Sequence, residues 1–171
     1  MSVDIGLEQR VLDRIEKARR RKAKVTDERI TLRLQGIEPS VLLYYDLGQP
    51  QQGNPYFATG ETVAKSPDVL VRWTRATQKG WAYVIANQAE TVETVAAKYG
   101  EDLDKTQQTA ALKAFTDLMV DDFSKANGLL AVNRATWEST AKAMLDQGRL
   151  DAPFDMSTLL ATTIFEQANK R

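Results

Sequence analysis

The chain of 171 residues contains neither cysteine nor histidine. It can therefore form no disulfide, and it offers no thiolate nucleophile, no imidazole base and none of the usual zinc ligands. Carboxylates are the metal ligands that remain, but no clustered aspartate pattern such as a calcium loop is visible. We therefore expect no catalytic residue set, no metal and no cofactor, and we predict that the protein is not an enzyme.

Long apolar runs are also missing. No stretch of the sequence approaches the roughly 20 apolar residues that a membrane-spanning helix needs. The N-terminal segment does not resemble a secretion signal, because charges run through it and no continuous apolar stretch follows them. Taken as written, the sequence is expected to be cytoplasmic.

Net charge is zero overall but uneven along the chain. Residues 1–33 hold ten basic and six acidic side chains, a local charge of +4 that leaves −4 on the other 138 residues. The densest basic patch is Arg19, Arg20, Arg21 and Lys22. Such a patch could bind nucleic acid or an anionic membrane. We favour a solvated helix end, since cations complement the helix dipole there and no aromatic residue is interleaved to stack on bases.

Two short segments show strand signals. Residues 29–35 alternate apolar Ile30, Leu32 and Leu34 with polar residues, which is typical of a half-buried strand. Residues 56–59 could form a second short strand that starts directly after Pro55. Between them, Pro39 and Gly48 suit the start and end of a short helix, with the apolar run 41–45 buried in it.

From residue 61 onward, helical signals dominate. Ser66 and Pro67 mark a helix start, and the apolar residues of 66–87 recur along one side of that helix. Further helices are expected from Asn87 to Gly100, over 104–122, from Asn133 to Gly148, and at the C-terminus. The predicted fold is mainly α with a small β remnant.

The order of signals over 38–100 resembles the C-terminal part of the periplasmic substrate-binding proteins that serve ABC transporters for nitrate, sulfonates, taurine and thiamine precursors. That family shows a proline-ending cleft segment, a D-x-G loop, an extended G-N-x-x-x-A strand, and then a helix with SP-x-L-V, R-A-x-x-x-G-W-x-Y and A-N. The matching positions are Glu38-Pro39, Asp46, Gly48, Gly53-Asn54, Ala58, Glu61, Ser66-Pro67, Leu70-Val71, Arg75-Ala76, Gly80-Trp81, Tyr83 and Ala86-Asn87.

This resemblance extends over about 36–171 and divides the chain into two predicted parts. Residues 36–171 would be a substrate-binding-protein-like C-terminal lobe, a partial lobe of an α/β fold. Residues 1–35 would be a basic N-terminal helix and strand, and an unrelated extension. Their "RVLDRIEKARRRKAKVTDERITL" faintly resembles the opening of hydrogenase maturation dehydratases, which need a C-terminal cysteine that is absent here.

The resemblance implies a truncated, non-catalytic solute-binding domain, related to uptake of small solutes of the sulfonate, nitrate or thiamine-precursor class. Its implied partners are a small solute and an ABC transporter permease, with a homo-oligomer also allowed, and the family itself is periplasmic. The ligand-binding candidates are Glu38, Tyr44, Tyr45 and Asn54, which border the cleft in that family. The alternative is a protein-interaction scaffold whose basic N-terminal helix docks a partner, nucleic acid or an anionic membrane.

Two further sets of residues have competing interpretations. Trp73 and Trp81 lie about 80° apart around one helix, so they could form a stacking surface, but core packing is favoured. Asp121 and Asp122 could suggest a paired carboxylate site. Adjacent helical positions do not face each other, so a solvated helix end is favoured.

Overall fold

A computed structural model describes residues 26–43, 45–48, 53–100, 102–153 and 155–170. It divides the chain into two compact units, Met1–Pro39 and Ser40–Arg171. The described part of the first unit contains one helix, α1 (Glu28–Leu34). The second contains seven helices in its described part: α2 (Gly60–Lys65), α3 (Pro67–Ala86), α4 (Gln88–Tyr99), α5 (Lys105–Met119), α6 (Asp122–Asn127), α7 (Arg134–Asp146) and α8 (Thr162–Asn169).

The predicted mainly helical fold is confirmed, but the two predicted strands are absent from the described residues. The segment 29–35 forms most of α1 instead, and the helix ends where Gly36 adopts a φ of 78°. The segment 56–59 forms neither a helix nor a strand in the part of the chain that is described. A lone strand leaves its backbone groups without partners, whereas a helix satisfies most of its own.

The segment after Pro39 also differs from the predicted buried helix. Its described residues contain only a 3-10 turn at Tyr45–Leu47, and both Val41 and Leu42 are exposed. Apolar content alone therefore did not indicate burial in this stretch.

Local side-chain capping explains where half of the described helices begin. Thr59, Asp104 and Asn133 accept hydrogen bonds from backbone N–H groups in the first turns of α2, α5 and α7. These bonds satisfy donors that a helix cannot pair internally. Ser66 has no such side-chain bond, so the start of α3 depends on Pro67 at its first position.

The core of the second unit is small, and in the described residues it comprises two helix–helix contacts and the buried Met156 of the 3-10 turn Met156–Thr158. Val71 of α3 packs with Ile164 and Ala168 of α8, and Leu70 covers their edge. The other buried set lies where α4 packs on α5, and it consists of Val92, Ala96 and Thr116. No described side chain is completely enclosed, so each of these few contacts carries a large share of the stability.

Polar bonds reinforce both helix pairs. Gln88 Nε2 donates to Thr116 Oγ1 at 3.1 Å and so links α4 to α5. Gln78 Nε2 donates to the Leu129 carbonyl at 3.0 Å and to Asn169 Oδ1 at 3.2 Å, which joins α3 to the loop between α6 and α7 and to α8. α3 is thus the central helix of the second unit.

Candidate functional site

Glu38 lies in the first unit, where Arg33 binds its carboxylate. Arg33 Nε lies 3.0 Å from both carboxylate oxygens, and Arg33 Nη2 also bonds to Oε1. This hydrogen bonding holds the pKa of Glu38 below its usual value and raises that of Arg33. Both groups are exposed, so water can still reach them. A ligand at Glu38 would have to share or displace the arginine.

The other cleft candidates lie in the second unit. Tyr45 begins the 3-10 turn and is 73% exposed, and Asn54 is exposed in the loop that precedes the segment 55–59. Among the described residues, no hydrogen bond or ring contact joins Tyr45 to Asn54. Tyr44 lies outside the described residues.

The structure brings together a set of aromatic side chains instead. Trp81 Nε1 donates a hydrogen bond of 3.0 Å to the Tyr56 hydroxyl oxygen. The Tyr56 ring meets Trp73 edge-on, with ring centres 4.7 Å apart and planes at 78°. On its other side Trp81 stacks on Phe115 of α5, with ring centres 5.3 Å apart. These four residues, which we call the aromatic row, attach the segment 55–59 to α3 and α3 to α5.

The expected core packing of the two tryptophans is wrong for one of them. Trp81 is half-buried between Tyr56 and Phe115, whereas Trp73 contacts the Tyr56 ring and remains 46% exposed. The helical periodicity places both indoles on the same side of α3. It does not show which residues from other segments would cover each indole. Tyr56 was missed as a partner, although its position just after the Gly53-Asn54 motif was a signal.

Arg75 is a second residue whose role the sequence did not indicate. The sequence singles out Arg75 only as a matching motif position, whereas in the structure its guanidinium caps the C-terminus of α8. Arg75 Nε donates to the Ala168 carbonyl at 2.9 Å, and Nη2 donates to the carbonyls of Gln167 at 2.9 Å and Lys170 at 3.0 Å. A cation at the negative end of a helix also complements the helix dipole.

The two adjacent aspartates take separate structural positions. Asp121 caps α6 and forms a capping box with Ser124, and Asp122 lies in the first helical turn beside Lys125. Asp121 is therefore engaged with backbone N–H groups, and the two carboxylates do not form a pair that faces a common substrate position.

The basic patch Arg19–Lys22 lies outside the described residues. Within the described ranges, no group of three or more acidic side chains is arranged to hold a metal ion. The same residues include no helix that is both long and apolar enough to cross a membrane. An open surface depression is lined by Ser139, Lys142, Ala143 and Asp146 of α7 and by Gln147, which follows this helix.

The residues of the exposed loop and of the helix that anchors it lie in one segment of the chain. Tyr45, Asn54 and Tyr56, together with the whole of α3, lie within a segment that matches a known family. Residues 23–91 match the family described as NMT1/THI5 like, which confirms the predicted resemblance to nitrate, sulfonate and thiamine-precursor binding proteins over this segment.

The match covers less than half of the chain. It includes residues 23–35, which the sequence-based division placed in the N-terminal extension, and it ends at residue 91. The resemblance of residues 92–171 to the same family, and that of the N-terminus to hydrogenase maturation proteins, therefore remain predictions. Searches of curated proteins and of solved structures gave no match.

Proposed function

We propose that this protein is a non-catalytic solute-binding domain related to the uptake of small solutes by ABC transporters. The observation that carries the proposal is the family match over 23–91, because it includes the exposed loop residues and the helix to which their segment is attached. The solute class we propose is that of sulfonates, nitrate or thiamine precursors, with a permease as the protein partner.

The geometry of the loop supports this function. The bond from Trp81 to Tyr56 anchors the chain two residues after Asn54, which restricts where the Asn54 amide can move. The amide and the Tyr45 hydroxyl are both exposed and uncharged, and both can donate hydrogen bonds to the oxygens of a small anion. An anchored segment that carries exposed donors suits recognition of a small polar solute.

Two acidic residues that could serve as catalytic groups are instead held in structural contacts, which supports the non-catalytic part of the proposal. Glu38 is engaged by Arg33, and Asp121 is engaged by a helix N-terminus. The chain has no histidine or cysteine to serve as an alternative base or nucleophile. Neither of these two carboxylates is hydrogen-bonded to a side-chain hydroxyl in the described part of the chain.

Calorimetric titration tests the proposal. We expect saturable heat with at least one of nitrate, taurine, an alkanesulfonate or an aminopyrimidine at up to millimolar concentration. Tyr45→Phe removes one exposed hydroxyl and should weaken that binding several-fold, roughly the effect of one hydrogen bond. Tyr99→Phe removes a comparably exposed hydroxyl on α4 and should leave the binding unchanged. No heat with any of these solutes would contradict solute binding.

A further inference from the structure

One face of α3 carries an uncharged row of exposed residues. They lie four, three, four and three positions apart, and we call them the α3 seam: Val69, Trp73, Ala76, Gly80 and Tyr83. Val69, Trp73 and Tyr83 are 48%, 46% and 52% exposed, and nothing lies within 4 Å of the position that a Cβ of Gly80 would occupy. This spacing is the heptad pattern of a helix that packs against another helix.

Another face of α3 already packs against other parts of the second unit. Val71, Arg75 and Gln78 face α8 and the loop before α7, and Tyr56 contacts Trp73 at the edge of the seam that is nearest Trp81. Among the described contacts, the only ring contact of a seam residue is that of Trp73 with Tyr56. Within the described residues, the seam is therefore a largely apolar helix face without a partner helix, and its Tyr83 hydroxyl bonds to Glu90.

The side chains of the α3 seam are complementary in size to those of a second copy of the seam that runs in the opposite direction. Ala76 is the middle position, so a second α3 running in the opposite direction would place Ala76 opposite itself. Trp73 would then lie over Gly80 of the partner subunit, and Val69 would lie against Tyr83 of the partner subunit. The largest side chain meets the position without a side chain, and the small centre permits close approach of the two helices.

We propose that the α3 seam is the interface between two copies of this chain, paired antiparallel about Ala76. Phe57 extends the apolar surface, because it is 96% exposed and follows Tyr56, which packs on Trp73. From the areas that aromatic side chains bury, the seam with Phe57 would remove about 1,000 Å² in total from water. Such an area is at the low end for specific interfaces, so the dimer should be weak, with a Kd in the micromolar range.

Two basic residues beside the seam determine how the strength of dimerisation changes with salt concentration. Arg72 and Lys79 lie on one edge of the seam, and antiparallel pairing brings Arg72 near Lys79 of the partner subunit. Arg72 is bound to Asp68 at 3.3 Å, which reduces but does not remove the repulsion. Added salt screens like charges at a solvent-exposed edge, so dimerisation should strengthen as salt increases. An acidic partner helix would show the reverse dependence.

Sedimentation equilibrium of the full chain over a wide concentration range is the direct test. The wild type should associate reversibly to a dimer. Gly80→Leu fills the position opposite Trp73 and should weaken dimerisation at least tenfold, while its higher helix propensity keeps or raises the urea midpoint of unfolding. The matched control Ala82→Leu lies about 120° around the helix from Ala76, is exposed, and should leave the dimer intact.

Disulfide cross-linking provides a second readout that does not depend on affinity. Because the chain has no cysteine, Ala76→Cys introduces a single thiol that the proposed pairing places beside its own copy. Mild oxidation should give a covalent dimer with Ala76→Cys and none with Ala82→Cys. A wild type that stays monomeric at all concentrations, equal effects of the two leucine variants, or equal cross-linking of the two cysteine variants would overturn the proposal.

Discussion

Replacement of Ile164 by alanine is expected to lower the free energy of unfolding by about 3 kcal/mol. Ile164 of α8 is buried against Val71 and Ala168, and this cluster is the contact that holds the last helix to α3. Truncation removes three buried carbon atoms and leaves a cavity that the small core has few neighbouring side chains to fill. Urea unfolding followed by far-ultraviolet circular dichroism measures the change.

The control for this prediction is an aliphatic residue that is exposed on another helix. Leu118 of α5 is exposed, so Leu118→Ala removes the same number of carbons from a position that is already in water. We expect a loss within about 0.5 kcal/mol for that variant. Equal losses at the two positions would mean that the contact between α3 and α8 does not stabilise the second unit.

Replacement of Arg75 by alanine is expected to lower the free energy of unfolding by about 2 kcal/mol. The change removes three hydrogen bonds from a cation to the last carbonyls of α8, as well as a favourable charge at the negative end of that helix. Arg75→Lys keeps the charge but cannot span three carbonyls with its single ammonium group, so it should recover only part of the loss.

Arg72 provides the matched control, since it lies on the same helix one turn earlier. Its ion pair with Asp68 is exposed to solvent, and pairs of this kind contribute little. Arg72→Ala should therefore change the urea midpoint only slightly. If Arg75→Ala proves as mild as Arg72→Ala, the guanidinium is a solvated surface cation and the capping role is wrong.

Much of the helical architecture was predictable because its signals are local. Pro67, Asn87, Gly100 and Asn133 are each found at or within one residue of a helix boundary, and Gly148 lies two residues after the end of α7, as their backbone preferences dictate. The strand assigned to 29–35 failed because alternation shows which side chains could share a face, but it does not show whether a neighbouring strand exists to pair with.

The contacts of the candidate site were less predictable, because they depend on how distant segments meet. Periodicity identified the tryptophans as one surface of α3, but the bond between Trp81 and Tyr56 joins residues 25 positions apart. The role of Arg75 depends on residues more than 90 positions later in the chain. A helical pattern could indicate neither, since it records only which side of a helix a residue occupies.

The tryptophan indole signals in a proton–nitrogen correlation spectrum test solute binding most directly. The chain has three tryptophans, and Trp81 reports on the binding segment through its bond to Tyr56, whereas Trp137 lies on α7 and serves as a reference. At a fixed protein concentration, titration with a solute that gives calorimetric heat should move the Trp81 signal saturably and leave the Trp137 signal in place. If all three indole signals stay unchanged at millimolar concentrations of every solute tested, this protein does not bind solutes through the loop that Tyr56 anchors.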